Sequence, residues 1–240
     1  MEENQKKPIP LWELRMSPLQ RTLGWCYLPM HALILPALVL LYTEIGGRVV
    51  NEAAVNIAYY VLGIAVVAAA FLPYLRREFD IFVDRLFFCI RTVIGGFFIM
   101  YALSTAATAL MMVLQPLLSE TGEAQSLGLM ETHFGVMKGL SIFLAPLVEG
   151  VMFRGVLFGT LRTRSRGRAY LVSVLAFCLF HVWQSVALTG DWSQLIYAVQ
   201  YIPVAVVLNW CYERSGTLWT SILYHIVYNA TAFSLLQELL

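Results

Sequence analysis

Apolar residues run along this chain in blocks the length of a membrane, with the polar positions gathered between them. Six stretches hold no Asp, Glu, Lys or Arg: 22–43, 53–75, 92–119, 169–190, 192–212 and 215–237. They are 22, 23, 28, 22, 21 and 23 residues long. A helix needs about 20 apolar residues to cross a bilayer core of roughly 30 Å. Only helices and closed barrels satisfy their own backbone there, so each run predicts one transmembrane helix. A seventh apolar stretch, 139–161, is interrupted by Glu149 and Arg154 alone. The expected fold is all-α, a polytopic transmembrane helix bundle of about seven spans. Segment 81–91 sets Asp84, Arg85 and Arg91 among Phe and Ile. It reads as an interfacial helix leading into the third span, and a short span there would make eight.

Composition narrows the function. Of 240 residues, 59% are hydrophobic and 13% charged, with a mean hydropathy of +0.70; soluble domains carry about 25% charged residues. A formal charge of +1 provides no basic field for nucleic acid. The same figures exclude a disordered chain. The first run is too long for the apolar core of a signal peptide, and further spans follow it. The expected partner is therefore the lipid bilayer itself, and the chain is expected to be an integral multi-pass membrane protein, of the plasma membrane if the cell is bacterial.

Lysines and arginines set the orientation. Lys6, Lys7, Arg15 and Arg21 precede span one; Arg76, Arg77, Arg85 and Arg91 lie between spans two and three. Arg162, Arg164, Arg166 and Arg168 follow span four, and Arg214 lies between spans six and seven. The opposite side holds Arg48 and Lys138. Leaving Arg154 aside, the split is thirteen to two, which places the N-terminus in the cytoplasm. The Arg162–Arg168 cluster reads as a topology anchor near anionic headgroups more readily than as a binding patch. Cys26, Cys89, Cys178 and Cys211 lack paired or metal-type spacing and read as small buried hydrophobes. Most of the six tryptophans fall near span ends, as interfacial anchors do.

Against this apolar background stand Glu149, Arg154, His181 and the pair His225 and Asn229. An ionisable side chain at the bilayer centre costs about 2.5–3.5 kcal/mol on insertion scales, so such groups mark function. Glu149 lies twelve residues from the cytoplasmic end of its span, His181 twelve and Asn229 twelve. At a rise of about 1.5 Å per residue, all three lie about 18 Å deep. His225 and Asn229 share a helix face at i, i+4, as do Phe177 and His181. Glu149 and Arg154 are i, i+5, about 140° apart on an ideal helix. No intrahelical ion pair follows from that angle; Arg154 reaches a neighbouring helix or snorkels to the cytoplasmic face. Each group alone has a structural reading as an ion pair or interhelical glue. Together, a carboxylate, two imidazoles and a carboxamide at one depth suit hydrolysis.

In this order these residues resemble the CPBP (CAAX protease and bacteriocin-processing) intramembrane endopeptidases, also called the Abi family. That family includes the type II CAAX prenyl endopeptidases. Its motifs are Glu-Glu-x-x-x-Arg, Phe-x-x-x-His and His-x-x-x-Asn or Asp on separate transmembrane helices. The chain reads Glu149-Gly150-Val151-Met152-Phe153-Arg154, Phe177-Cys178-Leu179-Phe180-His181 and His225-Ile226-Val227-Tyr228-Asn229. The resemblance covers about residues 138–236. It divides the chain into a cytoplasmic segment 1–21, a three-span region 22–137 and a four-span catalytic region 138–240.

The resemblance implies a glutamic-type endopeptidase acting on a membrane-anchored peptide or protein, either a CAAX-type C-terminus or a leader peptide. Glu149 with His181 would activate water, His225 and Asn229 would stabilise the oxyanion, and Arg154 and Phe177 would support them. No cofactor is expected. Zinc held by Glu149, His181 and His225 is the alternative, ranked lower because no His-Glu-x-x-His occurs. The chain departs from the family at Gly150, where the second glutamate belongs. A catalytically silent scaffold or immunity protein is therefore the competing reading. A transporter ranks below both, since no broken-helix pair or repeat accompanies the polar groups.

Overall fold

The computed structural model describes residues 12–45, 47, 51–118 and 134–239. Lys6, Lys7 and Arg48 of the charge count lie outside them. Among the described residues there are seven long helices and no strand: α1 Pro18–Thr43, α2 Glu52–Asp84, α3 Leu86–Leu114, α4 Phe134–Arg162, α5 Arg166–Thr189, α6 Ala198–Ser215 and α7 Leu218–Leu239. A 3₁₀ turn, Trp192–Tyr197, leads into α6.

Local sequence places these boundaries. Ser17 accepts from the Gln20 backbone N–H while the Gln20 side chain accepts from Ser17, a capping box with Pro18 at the first helical position. Asn51 and Ser165 cap α2 and α5 in the same way, each accepting a backbone N–H three residues on. Gly216 has φ of 74°, which lets α6 stop and α7 start within two residues. Between α2 and α3 the chain leaves helical geometry at Arg85 alone. The interfacial helix expected over 81–91 is therefore not a separate element, nor is an eighth span. With neither Pro nor Gly in that segment, α2 runs on to Asp84 and α3 begins at Leu86.

Among the described residues six helices are long and apolar enough to cross a membrane: α1 to α5, and the unit Trp192–Ser215. The seventh expected span, α7, has the length, at 22 residues. Tyr224, His225, Tyr228 and Asn229 lower its apolar content below that of the others. It still runs the full height of the bundle. Leu218 at its start bonds Glu78 at the arginine-rich end, and Gln237 at its finish accepts from Lys138 at the opposite end. Cys89, Cys178 and Cys211 are buried as expected, whereas Cys26 is exposed on α1.

The core is α4. Of its apolar window 78% is buried, against 17–44% for the other five membrane-length units. Small residues let neighbours approach it closely: a Cβ on Gly24 of α1 would lie 2.4 Å from a methyl of Val156. At the arginine-rich end a polar clamp joins both halves of the chain. Glu78 of α2 is fully buried, ion-paired to Arg15 at 3.3 Å, and accepts the Leu218 backbone N–H at 2.8 Å. Arg15 also donates to the Gly216 carbonyl at 2.9 Å, and the Thr217 hydroxyl donates to the Glu78 carbonyl. The carboxylate thus caps α7 at the positive end of its dipole. Glu78→Ala strips the cap and leaves half-buried Arg15 with the Gly216 carbonyl and a 4.0 Å pair to Glu13, an expected loss of about 1–3 kcal/mol. Thermal unfolding in detergent should show a large drop for Glu78→Ala and a smaller one for Glu78→Gln, which keeps an oxygen for the Leu218 N–H.

Candidate active site

The first site motif lies where α4 changes its winding. Residues Gly150–Phe158 form a π-helical segment, preceded by a shorter one at Leu140–Leu144. Hydrogen bonds there run from i to i+5, so the fifth residue swings back towards the face of the first. Glu149 and Arg154 are such a pair. The 140° separation expected from ideal α geometry does not hold, because the winding is not α. Both side chains are buried, at 3% and 1% exposure, so Arg154 does not snorkel. No carboxylate lies within ion-pairing distance of Arg154 among the described residues, and its three nitrogens find no hydrogen-bond partner. Its guanidinium instead sits 4.1 Å from the centroid of the Phe177 ring, a cation–π contact in a dry site.

Phe177 is where the three motifs meet. On one side it carries Arg154 from α4. The His181 ring from its own helix lies 4.4 Å away, and the His225 ring from α7 lies edge-on at 6.2 Å. Arg154, His181 and His225, from α4, α5 and α7, thus converge on one ring.

Hydrogen bonds fix the state of these groups. His181 Nδ1 lies 2.8 Å from the Phe177 carbonyl, which only accepts, so Nδ1 carries the proton. The lone pair is then on Nε2. Tyr201 at 4.4 Å and Phe180 at 5.2 Å complete the wall around the ring. Asn229 Nδ2 donates to the Ser141 carbonyl at 2.6 Å, inside the upper π-helical turn of α4. A carboxamide nitrogen has two protons, so one remains free. Glu149 Oε1 accepts from the Tyr60 hydroxyl at 3.4 Å, and Oε2 has no partner. Among the described residues no three His, Cys, Asp or Glu gather closely enough to hold a metal ion, so the zinc set Glu149, His181 and His225 is not drawn around one point.

Two residues of the site come from the first two spans, which sequence reasoning left without a role. Tyr60 of α2 touches the carboxylate directly. His31 of α1 is wholly buried in a π-helical turn of its own, Met30–Ile34, and neither ring nitrogen has a partner. Its ring stacks on Tyr59 at 4.5 Å and meets Tyr60 edge-on at 6.4 Å. A signal existed: His31 is ten residues past Arg21, at about 15 Å in the depth count that singled out His181. Tyr60 gave none, since tyrosine is frequent in membrane spans.

Residues 132–231 match the profile of the family described as type II CAAX prenyl endopeptidase Rce1-like. The match, over about two-fifths of the chain, supports assigning this region to that family. The match takes in all three motifs, from the start of α4 into α7. No curated protein and no solved structure matches the chain. The membrane-length helices, with this match to a membrane protease family, make this an integral multi-pass membrane protein.

The resemblance noted in the sequence leaves one motif position unfilled, and the structure shows what stands there. A Cβ on Gly150 would lie 3.0 Å from Ile222 Cγ1, and Ile222 is 2% exposed on α7. The space for a second glutamate is taken by the packing of α7 on α4. Gly150→Glu alone should therefore overpack this contact, at about 1–3 kcal/mol. The double variant Gly150→Glu/Ile222→Ala should recover much of that loss in a thermal melt. For Phe177→Leu, which keeps volume but removes the ring beneath Arg154, turnover of a reporter peptide should fall about ten-fold or more while the protein still folds.

Proposed function

We propose that the chain is an intramembrane endopeptidase that hydrolyses peptide bonds of membrane-anchored peptides or proteins with water activated by Glu149 and His181. The observation that carries this reading is the open valence left on three motif groups. Glu149 keeps a buried carboxylate oxygen without a partner, His181 a lone pair on Nε2 and Asn229 a free N–H, the groups that a water and a peptide carbonyl require.

In this mechanism Glu149 and the Nε2 of His181 accept hydrogen bonds from the water and orient it. Its oxygen attacks the carbonyl carbon while Glu149 takes one proton. Negative charge gathers on the former carbonyl oxygen, and His225 and Asn229 donate to it where low dielectric makes each hydrogen bond count most. Glu149 then gives its proton to the amide nitrogen as the C–N bond breaks, leaving a carboxylic acid and an amine. Arg154, held on Phe177, keeps a positive charge near the carboxylate and the developing oxyanion. Tyr60 holds Glu149 Oε1, so Oε2 faces the water. Rce1-like membership favours C-terminal CAAX-type processing, with leader peptides as the other substrate class.

Wild type and Glu149→Gln in detergent, digested side by side against a farnesylated CAAX peptide and a peptide library, should differ in turnover by about 10²–10⁴-fold. Cleavage that survives Glu149→Gln would sink the mechanism. A wild type inert on every peptide would favour the scaffold reading, for which Ile222 in the place of the second glutamate is the structural argument. Loss of activity on chelation, restored by zinc, would favour the metal alternative.

A further inference from the structure

A basic cavity opens at the cytoplasmic end of the bundle, away from the Phe177 cluster. It encloses about 400 Å³ and is lined by Trp12, Arg162, Arg166, Trp210, Glu213 and Arg214. Thirteen residues of α4 separate Arg162 from Glu149, so peptide chemistry does not take place here. Glu213 is the one carboxylate in the lining, and both its oxygens are engaged. Oε1 accepts from Arg162, and Oε2 from Arg166 at 2.9 Å and from the Tyr170 hydroxyl at 2.9 Å. Glu213 therefore fixes two guanidinium groups in place without balancing the charge of three. Arg214 has no carboxylate within 4.0 Å among the described residues. Arg164 and Arg168, both exposed, add to the same field.

The guanidinium groups are also held by aromatic faces. Arg162 lies over the Trp12 ring at 5.2 Å, and Arg214 over Phe88 at 5.3 Å. Arg162 engages Glu213 through Nε, which leaves its terminal N–H groups, with those of Arg214, for the fork that matches phosphate oxygens. Trp12 and Trp210 are the residue type that settles at the headgroup level of a bilayer. A pocket of this size, between helices on the positively charged side, suits a headgroup better than a folded partner.

We propose that this cavity between α4, α5 and α6 binds the phosphate of an anionic phospholipid headgroup, clasped by Arg162, Arg166 and Arg214. The bound lipid ties the ends of three helices that also carry site residues or their walls.

The test uses the full chain in detergent, with bound lipid counted by native mass spectrometry. Phosphatidylglycerol should bind the wild type at least about ten-fold more tightly than phosphatidylcholine. Arg214→Gln, which breaks no ion pair, should weaken phosphatidylglycerol about five-fold, and Arg166→Gln/Arg214→Gln about thirty-fold. Both variants keep the Arg162 and Tyr170 contacts to Glu213, so folding should survive. Unchanged phosphatidylglycerol binding in either variant, or equal binding of the two lipids by wild type, would overturn the proposal. Inorganic phosphate at millimolar concentration should leave the bound lipid in place; displacement would overturn the lipid assignment in favour of free phosphate.

Discussion

Two ionisable groups of opposite sign on one helix, Glu149 and Arg154, are buried away from bulk water, and the rest of the site is arranged around their placement. In a low-dielectric interior a charge without compensation is costly, and a close ion pair does not always offset the desolvation. Here the pair is not closed. The π-helical winding of α4 turns Arg154 back towards the face of Glu149, yet its guanidinium rests on Phe177 and makes no salt bridge. A closed pair would leave the carboxylate engaged and unable to take a proton from water. An arginine held at a distance by an aromatic face supplies field without occupying the oxygens. The widened turn and the ring beneath the guanidinium are two parts of one solution.

That solution requires α4 to be enclosed. Gly24 brings α1 onto Val156, Ile222 of α7 fills the space over Gly150, and α5 presents Phe177 from the side. The N-terminal spans belong to this enclosure. Tyr60 reaches the carboxylate, the Trp183 indole of α5 donates to the Ala32 carbonyl of α1, and the Trp219 indole of α7 donates to the Leu75 carbonyl of α2. The Glu78 clamp fixes where α7 begins, and so the height at which His225 and Asn229 lie. A cap at the end of the bundle thereby sets the position of groups about two and three turns deeper.

Much of this was legible in the chain because it rested on quantities a sequence records. Charge-free runs marked the helices, and equal residue counts from the charged ends placed Glu149, His181 and Asn229 at one depth. The i, i+4 spacing of Phe177 and His181 became a contact at 4.4 Å. What stayed hidden depended on winding and on tertiary contact. The Glu149–Arg154 angle was drawn on an α-helix, and nothing in Gly150–Phe158 announces a π-helical segment. Its glycines and β-branched residues are ordinary for a membrane span. Glu78 stands beside Arg76, Arg77 and Asp80, which makes it look like one more surface charge, although it is wholly buried. His31 and Tyr60 were obscured by the opposite effect, as single polar atoms within runs whose hydropathy reads as lipid-facing. Charge in this protein is scarce enough for position alone to expose the carboxylate. The hydroxyl that holds the carboxylate, and the seat of Arg154 on the Phe177 ring, become visible only once the helices are packed.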